Sequence, residues 1–276
     1  MCDVCPHRGC AGCKRRYRRV FEQTCTTVEN IINPIGVPLA GGGEQCLATF
    51  LDRPNRFVAV VQLADGTITK AHIADRGRLV ETLQPGVCIC LVARPGEKRA
   101  TQWQAAAAQR ANGSWASLDT LLPNRLMKRV LAAHLIPELP VYTDVRSEVN
   151  VGASRFDFVL AGGPQDIILE VKSAGRLHPD AMTASVPDAP SSRAARHVDE
   201  LATLASQGQP TVLVVVAQAT VTRTAIDGDI DPVLASAVSN AHAAGVHVVG
   251  VSARFDRNGL YFEHTVACII HHSPNP

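Results

Sequence analysis

Aromatic residues are scarce in this chain, at 4% of 276 residues. That scarcity argues against a nucleic-acid surface built mainly on base stacking. An excess of charge of one sign is also missing. With 27 Lys and Arg against 25 Asp and Glu, the formal net charge is +2, so any basic footprint has to be local. No apolar run reaches membrane-spanning length, and the N-terminus lacks the apolar core of a signal peptide. A cytoplasmic protein with no membrane partner is expected, in which cysteines serve as thiols or metal ligands rather than disulfides. There is no nucleophile elbow, no Ser-His-Asp order and no phosphate-binding P-loop. The triple glycine Gly41 to Gly43 has neither the Lys-Ser/Thr nor the strand-to-helix setting of a nucleotide loop. What is plentiful is apolar: 46% hydrophobic and 19% charged residues suit a globular chain with a real core, in one large or two medium domains.

The most informative motif is Glu170-Val171-Lys172, with Asp157 thirteen residues upstream. Glu170 follows the apolar run Ile167-Ile168-Leu169. In a strand alternate side chains share a face, so Glu170 and Lys172 point one way and Val171 the other. Asp157 lies inside Arg155-Phe156-Asp157-Phe158-Val159-Leu160, with Phe156 and Phe158 expected on one face and Asp157 on the other. Two adjacent strands then bring two carboxylates and an ammonium into one small space. Asp157 and Glu170 suit a hard cation such as Mg²⁺ or Mn²⁺, and Lys172 suits positioning a water or stabilising developing charge. The competing reading of such residues is an edge charge or a structural ion pair.

The surrounding pattern sets that motif in a domain. Residues 124–134 read as a helix opened by Pro123, with Leu126, Val130 and Leu131 on one face. Strands are expected at about 145–151, 155–160 and 167–171, a helix at 191–207 capped by Ser191 or Ser192, and a buried valine strand at 211–217. A helix at 232–243 starting at Asp231-Pro232 and strands at 246–253 and 260–270 complete the chain, with His271-His272 as tail. Helix, three strands, helix, strand is the order of a nuclease-fold core. Glu148 is a candidate to face the same cleft, or else a surface or ion-paired acid. Arg193, Arg196 and His197 share one helical face, where the arginines suit a phosphate and His197 suits a proton carrier, a hydrogen-bond donor or a structural role. Arg155 either binds phosphate or pairs with an acid.

Upstream, residues 45–118 hold short strand candidates at 46–51, 57–63, 67–72, 87–93 and 101–108, with Asp65-Gly66 as a hairpin turn. Such a series fits a small barrel, with OB as the natural candidate. Arg53, Asn55, Arg56, Arg76 and Arg78 fall at turns or strand ends there and are candidates for nucleic-acid contact, or solvated surface residues. Residues 26–44 have linker composition. The first 25 residues are distinct. Cys2, Cys5, Cys10 and Cys13 form C-x2-C-x4-C-x2-C, enough thiolates for a tetrahedral Zn²⁺ or an iron–sulfur cluster; a reduced tail is the alternative. The run Lys14-Arg15-Arg16-Tyr17-Arg18-Arg19 follows, suited to phosphate contact with one stacking ring, or a solvated charge run.

Six blocks carry a resemblance. They are Arg53-Pro54-Asn55-Arg56-Phe57, HIADRGRL from His72, DTLLPNRL from Asp119, Ser154-Arg155-Phe156-Asp157-Phe158, Glu170-Val171-Lys172-Ser173, and VPDAPSSRAARHVDEL from Val186. In this order, across about residues 46–270, the chain resembles the sugar fermentation stimulation protein A family. The resemblance implies DNA binding, an OB-like N-terminal domain and a C-terminal domain of the PD-(D/E)XK nuclease fold, with the motif on Asp157, Glu170 and Lys172. This chain departs from the family pattern at Ala174-Gly175-Arg176 and at Ala74-Asp75-Arg76; the N-terminal extension is not part of the resemblance. The expectation is therefore an α+β protein. It has a Cys-rich basic extension (1–25), a linker (26–44), an OB-like domain (45–118) and a nuclease-like domain (119–276). Its expected function is DNA binding with Mg²⁺-dependent phosphodiester hydrolysis. The alternatives are a non-catalytic DNA-binding regulator of sugar metabolism genes and a nuclease-fold protein acting on RNA.

Overall fold

The computed structural model describes residues 34–271 apart from 76, 78, 81, 97, 98, 111 and 153. Cys2, Cys5, Cys10, Cys13, the run Lys14 to Arg19, Arg76 and Arg78 lie outside the described residues.

An N-terminal barrel comes first. Strands β1 (Gly36–Pro38), β2 (Gln45–Asn55), β3 (Val58–Leu63), β4 (Ile68–Ile73), β5 (Cys88–Ala93), β6 (Trp103–Gln109) and β7 (Trp115–Ser117) follow in chain order. β2 pairs with β3 and β5, β3 with β4, and β5 with β6. A parallel pairing of β4 with β6 closes a five-stranded, OB-like ring, which removes free strand edges. Alternation fills it with apolar side chains, among them Phe50, Ala59, Val61, Ile73, Ile89 and Leu91. The β3–β4 turn uses Asp65-Gly66. Gly66 takes φ 86°, and Asp65 Oδ1 accepts the Thr67 N–H at 2.9 Å.

The second domain is a mixed sheet with three helices: α1 (Leu122–Ala132), α2 (Ser192–Ser206) and α3 (Pro232–Ala243). Its strands are β8 (Asp144–Val151), β9 (Ser154–Ala161), β10 (Ile167–Ala174), β11 (Arg176–Leu177), β12 (Thr183–Val186), β13 (Thr211–Ala217), β14 (Arg223–Asp227), β15 (His247–Asp256) and β16 (Gly259–His271). They lie in the order β11-β12-β14-β16-β15-β13-β10-β9-β8, with β1 added on β16. The valine strand β13 shows how the layers arise. Val212, Val214 and Val216 join a core shared with α1 and with Cys90, Val92, Ala106 and Ala107 of the barrel. Leu213, Val215 and Ala217 join a second core under α2 and α3. A strand buried on both faces reads as a continuous apolar run, as here.

The helix starts follow local chemistry. Pro123 sits in the first turn of α1, where a missing N–H costs nothing. Ser191 caps α2 by accepting the Ala194 N–H at 3.2 Å, and Asp231 caps α3 by accepting the Leu234 N–H at 2.9 Å.

Several expectations need correcting. The second half of the expected linker is part of the core: β1 pairs with β16, and Val37, Leu39 and Ala40 are buried. Strands β7, β11, β12 and β14 were not expected. β14 carries Arg223, Thr224 and Asp227, which hide any apolar alternation. His271 is the last residue of β16 rather than tail, and its ring packs edge-on against His178 with centroids 4.7 Å apart. Phe156 and Phe158 enter different cores: Phe156 packs with the α2–α3 core and Phe158 with the α1 core.

Candidate functional site

The ladder between β9 and β10 runs from Ile167–Leu160 to Leu169–Phe158 and stops there. The next register position would set Glu170 opposite Asp157. Two carboxylates facing each other disfavour further pairing, and the side chains supply the contacts instead. Asp157 Oδ2 accepts the Val171 backbone N–H at 2.8 Å, and Oδ1 accepts from Asn124 Nδ2 on α1 at 2.6 Å. Glu170 shares its face of β10 with Ile168 and is only 5% exposed. Its Oε1 accepts from Lys172 Nζ at 2.6 Å and contacts His197 Nδ1 on α2 at 3.0 Å. Its Oε2 is buried and has no hydrogen-bond partner among the described residues.

Burial, and then the charge of Glu170, pushes the Asp157 carboxyl up from 3.8 to about 6; the Val171 N–H, Lys172 and Asn124 pull the other way. The charges converge on a cleft of about 310 Å³ whose lining includes Asn124, Asp157, Glu170, Lys172, Arg193 and His197. Ser191 and Ala194 bring the start of α2 to its wall. Arg193 makes no ion pair among the described residues and is available to an anion. The lining thus joins a carboxylate pair to a cation and a helix N-terminus, an arrangement that suits a metal ion on one side and a phosphate on the other.

Other candidate residues stand elsewhere. Glu148 pairs with Arg155 at 3.0 Å, both largely exposed, and neither lines the cleft. Arg196 stays outside the cleft that Arg193 lines, with Nε 3.9 Å from Glu200 one turn along α2. In the barrel, Arg53 donates to the carbonyls of Gly77, Arg56 and Asp75 at 2.7, 2.9 and 3.0 Å, holding the following loop in place. Asn55 Oδ1 accepts the Phe57 N–H at 2.9 Å in a turn, and Arg56 is exposed.

Two contributors escaped the sequence reading. Asn124 is the partner of Asp157; its signals were its place next to Pro123 at a helix start and inside the DTLLPNRL block. Asp119, 2% exposed, anchors the start of α1: its Oδ2 accepts the Ala40 N–H at 2.8 Å and pairs with Arg125, and its Oδ1 accepts the Leu121 N–H at 3.2 Å.

Comparison with known proteins decides the family. Residues 51–118 match the N-terminal OB domain of SfsA, and residues 121–259 match the sugar fermentation stimulation protein RE domain. The chain belongs to the sugar fermentation stimulation protein family. It is 36% identical over 229 residues to the sugar fermentation stimulation protein homolog of Chloroflexus aurantiacus, covering 83% of this chain and 87% of that one. It is 35% identical to the homolog of Methylobacterium nodulans, covering 79% and 93%. It also resembles a solved structure described as Pyrococcus furiosus SfsA in complex with Ca²⁺. There the TM-score is 0.72 at 27% identity, over 84% of this chain and 99% of that one. All four charged cleft residues, Asp157, Glu170, Lys172 and Arg193, fall inside the second matched region.

Among the described residues, no three His, Cys, Asp or Glu side chains are grouped as a metal cage. The donor set is two carboxylates, which suits Mg²⁺; that ion keeps several waters and takes one or two carboxylates plus substrate phosphate. The buried Glu170 oxygen, without a partner among the described residues, fits a cation neighbour. No helix among the described residues is long and apolar enough to cross a membrane.

Proposed function

We propose that this protein binds DNA and hydrolyses phosphodiesters at the Asp157–Glu170–Lys172 cleft with a divalent cation, in the manner of the PD-(D/E)XK nuclease fold. The observation that carries the reading is Glu170 Oε2, buried, unpartnered and beside a second carboxylate. A relative solved with Ca²⁺ supports it. Asp157 and Glu170 would hold the cation. The bound ion would supply Lewis acidity toward a phosphoryl oxygen and a water. Arg193 and the start of α2 would bind a phosphate through charge and helix dipole. Lys172, 14% exposed at its side chain, would orient the attacking water or stabilise charge on the phosphoryl group. We further propose that Cys2, Cys5, Cys10 and Cys13 bind Zn²⁺, with an iron–sulfur cluster as the alternative, and present the basic run beside them to nucleic acid.

The second reading is a non-catalytic DNA-binding regulator of sugar metabolism genes. The 2.6 Å pair between Lys172 and Glu170 favours it, since that pair neutralises Glu170 without a metal. Cleavage assays in Mg²⁺ and Mn²⁺ on single-stranded, duplex and branched DNA and on RNA separate the two. Hydrolysis that disappears in Lys172→Ala supports the first reading. Binding without hydrolysis of any substrate supports the second.

A further inference from the structure

We propose that His197 is a positioning residue of this site, fixing which oxygen of Glu170 faces the cleft; this rests on the cation-binding reading above. The two oxygens of Glu170 are treated unequally. Oε1 has two contacts, Lys172 Nζ at 2.6 Å and His197 Nδ1 at 3.0 Å, while Oε2 has none among the described residues. A carboxylate oxygen only accepts, so Nδ1 carries the proton in this contact.

The two donors are not equivalent in what they can fix. An ammonium on a flexible stem has three rotating donors and can follow either oxygen. An imidazole donates along one direction from a planar ring. The His197 ring is 9% exposed and tilted against Phe156, with centroids 6.4 Å apart, so its direction is set by packing. Its backbone is also pinned. Ser191 caps α2, and the Ser191 N–H donates to Asp231 Oδ2 at 2.8 Å. Asp231, 2% exposed, uses its other oxygen to cap α3. One buried carboxylate thereby ties the starts of both helices together. The same helix start carries Arg193 to the cleft, one turn before His197. The ring therefore holds Oε1 from a fixed frame and leaves Oε2 as the oxygen offered to a cation. Partners that orient a ligating group in this way are worth about 10- to 100-fold in metal affinity.

The test is calorimetric titration of the full chain with Mn²⁺, for wild type, His197→Asn and His197→Leu. Asparagine places its amide nitrogen where the imidazole carries Nδ1. Leucine has nearly the same shape without a donor. We expect His197→Leu to lose about 10- to 100-fold in Mn²⁺ affinity and His197→Asn to stay within a few-fold of wild type. If His197→Leu does not fold, His197→Gln takes its place, with its amide one bond farther out, and the same loss is expected. Equal, wild-type-like affinity in the Leu and Asn variants overturns the inference while leaving the cation site standing. So does equal loss in both, which would assign the effect to ring packing. Absence of Mn²⁺ binding by wild type removes the cation-binding reading and this inference with it.

Discussion

The site should weaken the fold that carries it, and Asp157 gives the size of the effect. Its carboxyl is pushed from 3.8 to about 6, first by burial and then by Glu170. The folded value lies above the unfolded one, so between them the native state holds a proton that the unfolded chain has released. The group therefore favours folding fully below pH ~3.8, and that contribution is lost as pH rises through ~6. A shift of this size is worth about 3 kcal/mol. Asp157→Asn removes the titration but keeps the shape. It also weakens a hydrogen bond, because an amide cannot accept from both Asn124 and the Val171 N–H; that costs on the order of 1 kcal/mol and does not vary with pH. The informative quantity is thus the stability difference between variant and wild type at two pH values. Urea unfolding in chelator-treated buffer at pH 4 and pH 8 gives it. The variant should gain on wild type by a little over ~2 kcal/mol across that interval, because at pH 4 the unfolded carboxyl has already released more than half of its proton. An equal offset at both pH values would refute the argument that burial of an ionised Asp157 costs stability.

The proposed roles make three further predictions. Glu170→Gln should keep or slightly improve DNA affinity in metal-free buffer, since it removes a negative charge beside the phosphate path; a strong loss there, seen by fluorescence anisotropy, would contradict binding in the cleft. Affinity should also fall steeply with salt. Protein purified without oxygen should carry one Zn²⁺ that a chain starting after residue 25 lacks, by elemental analysis, and visible absorbance would point to an iron–sulfur cluster instead. Equal metal content in the two chains would mean that Cys2, Cys5, Cys10 and Cys13 form no site.

Much of the fold was legible because its signals are local. The valine run of β13, the Asp65-Gly66 turn, Pro123, Ser191 and Asp231-Pro232 each state their structure within a few residues. What was not legible depends on distant partners. β1 is a strand only because β16 lies beside it, and linker-like composition hid that pairing. The two residues of β11 carry no period at all. The same division holds at the cleft. Glu170 and Lys172 follow from strand alternation. Asn124 lies 33 residues before Asp157, and nothing in the spacing announces their contact. Helical spacing grouped Arg193, Arg196 and His197 as one face. The cleft meets only part of that face, taking in Arg193 and His197 and leaving Arg196 beside Glu200.

The central claim is that Asp157 and Glu170 together hold a divalent cation. Calorimetric titration with Mn²⁺, a hard ion poorly suited to the N-terminal thiolates, tests it most directly. The account predicts one Mn²⁺ per chain for wild type and none at comparable affinity for Asp157→Asn. Equal binding by the two proteins, or none by wild type, would contradict it.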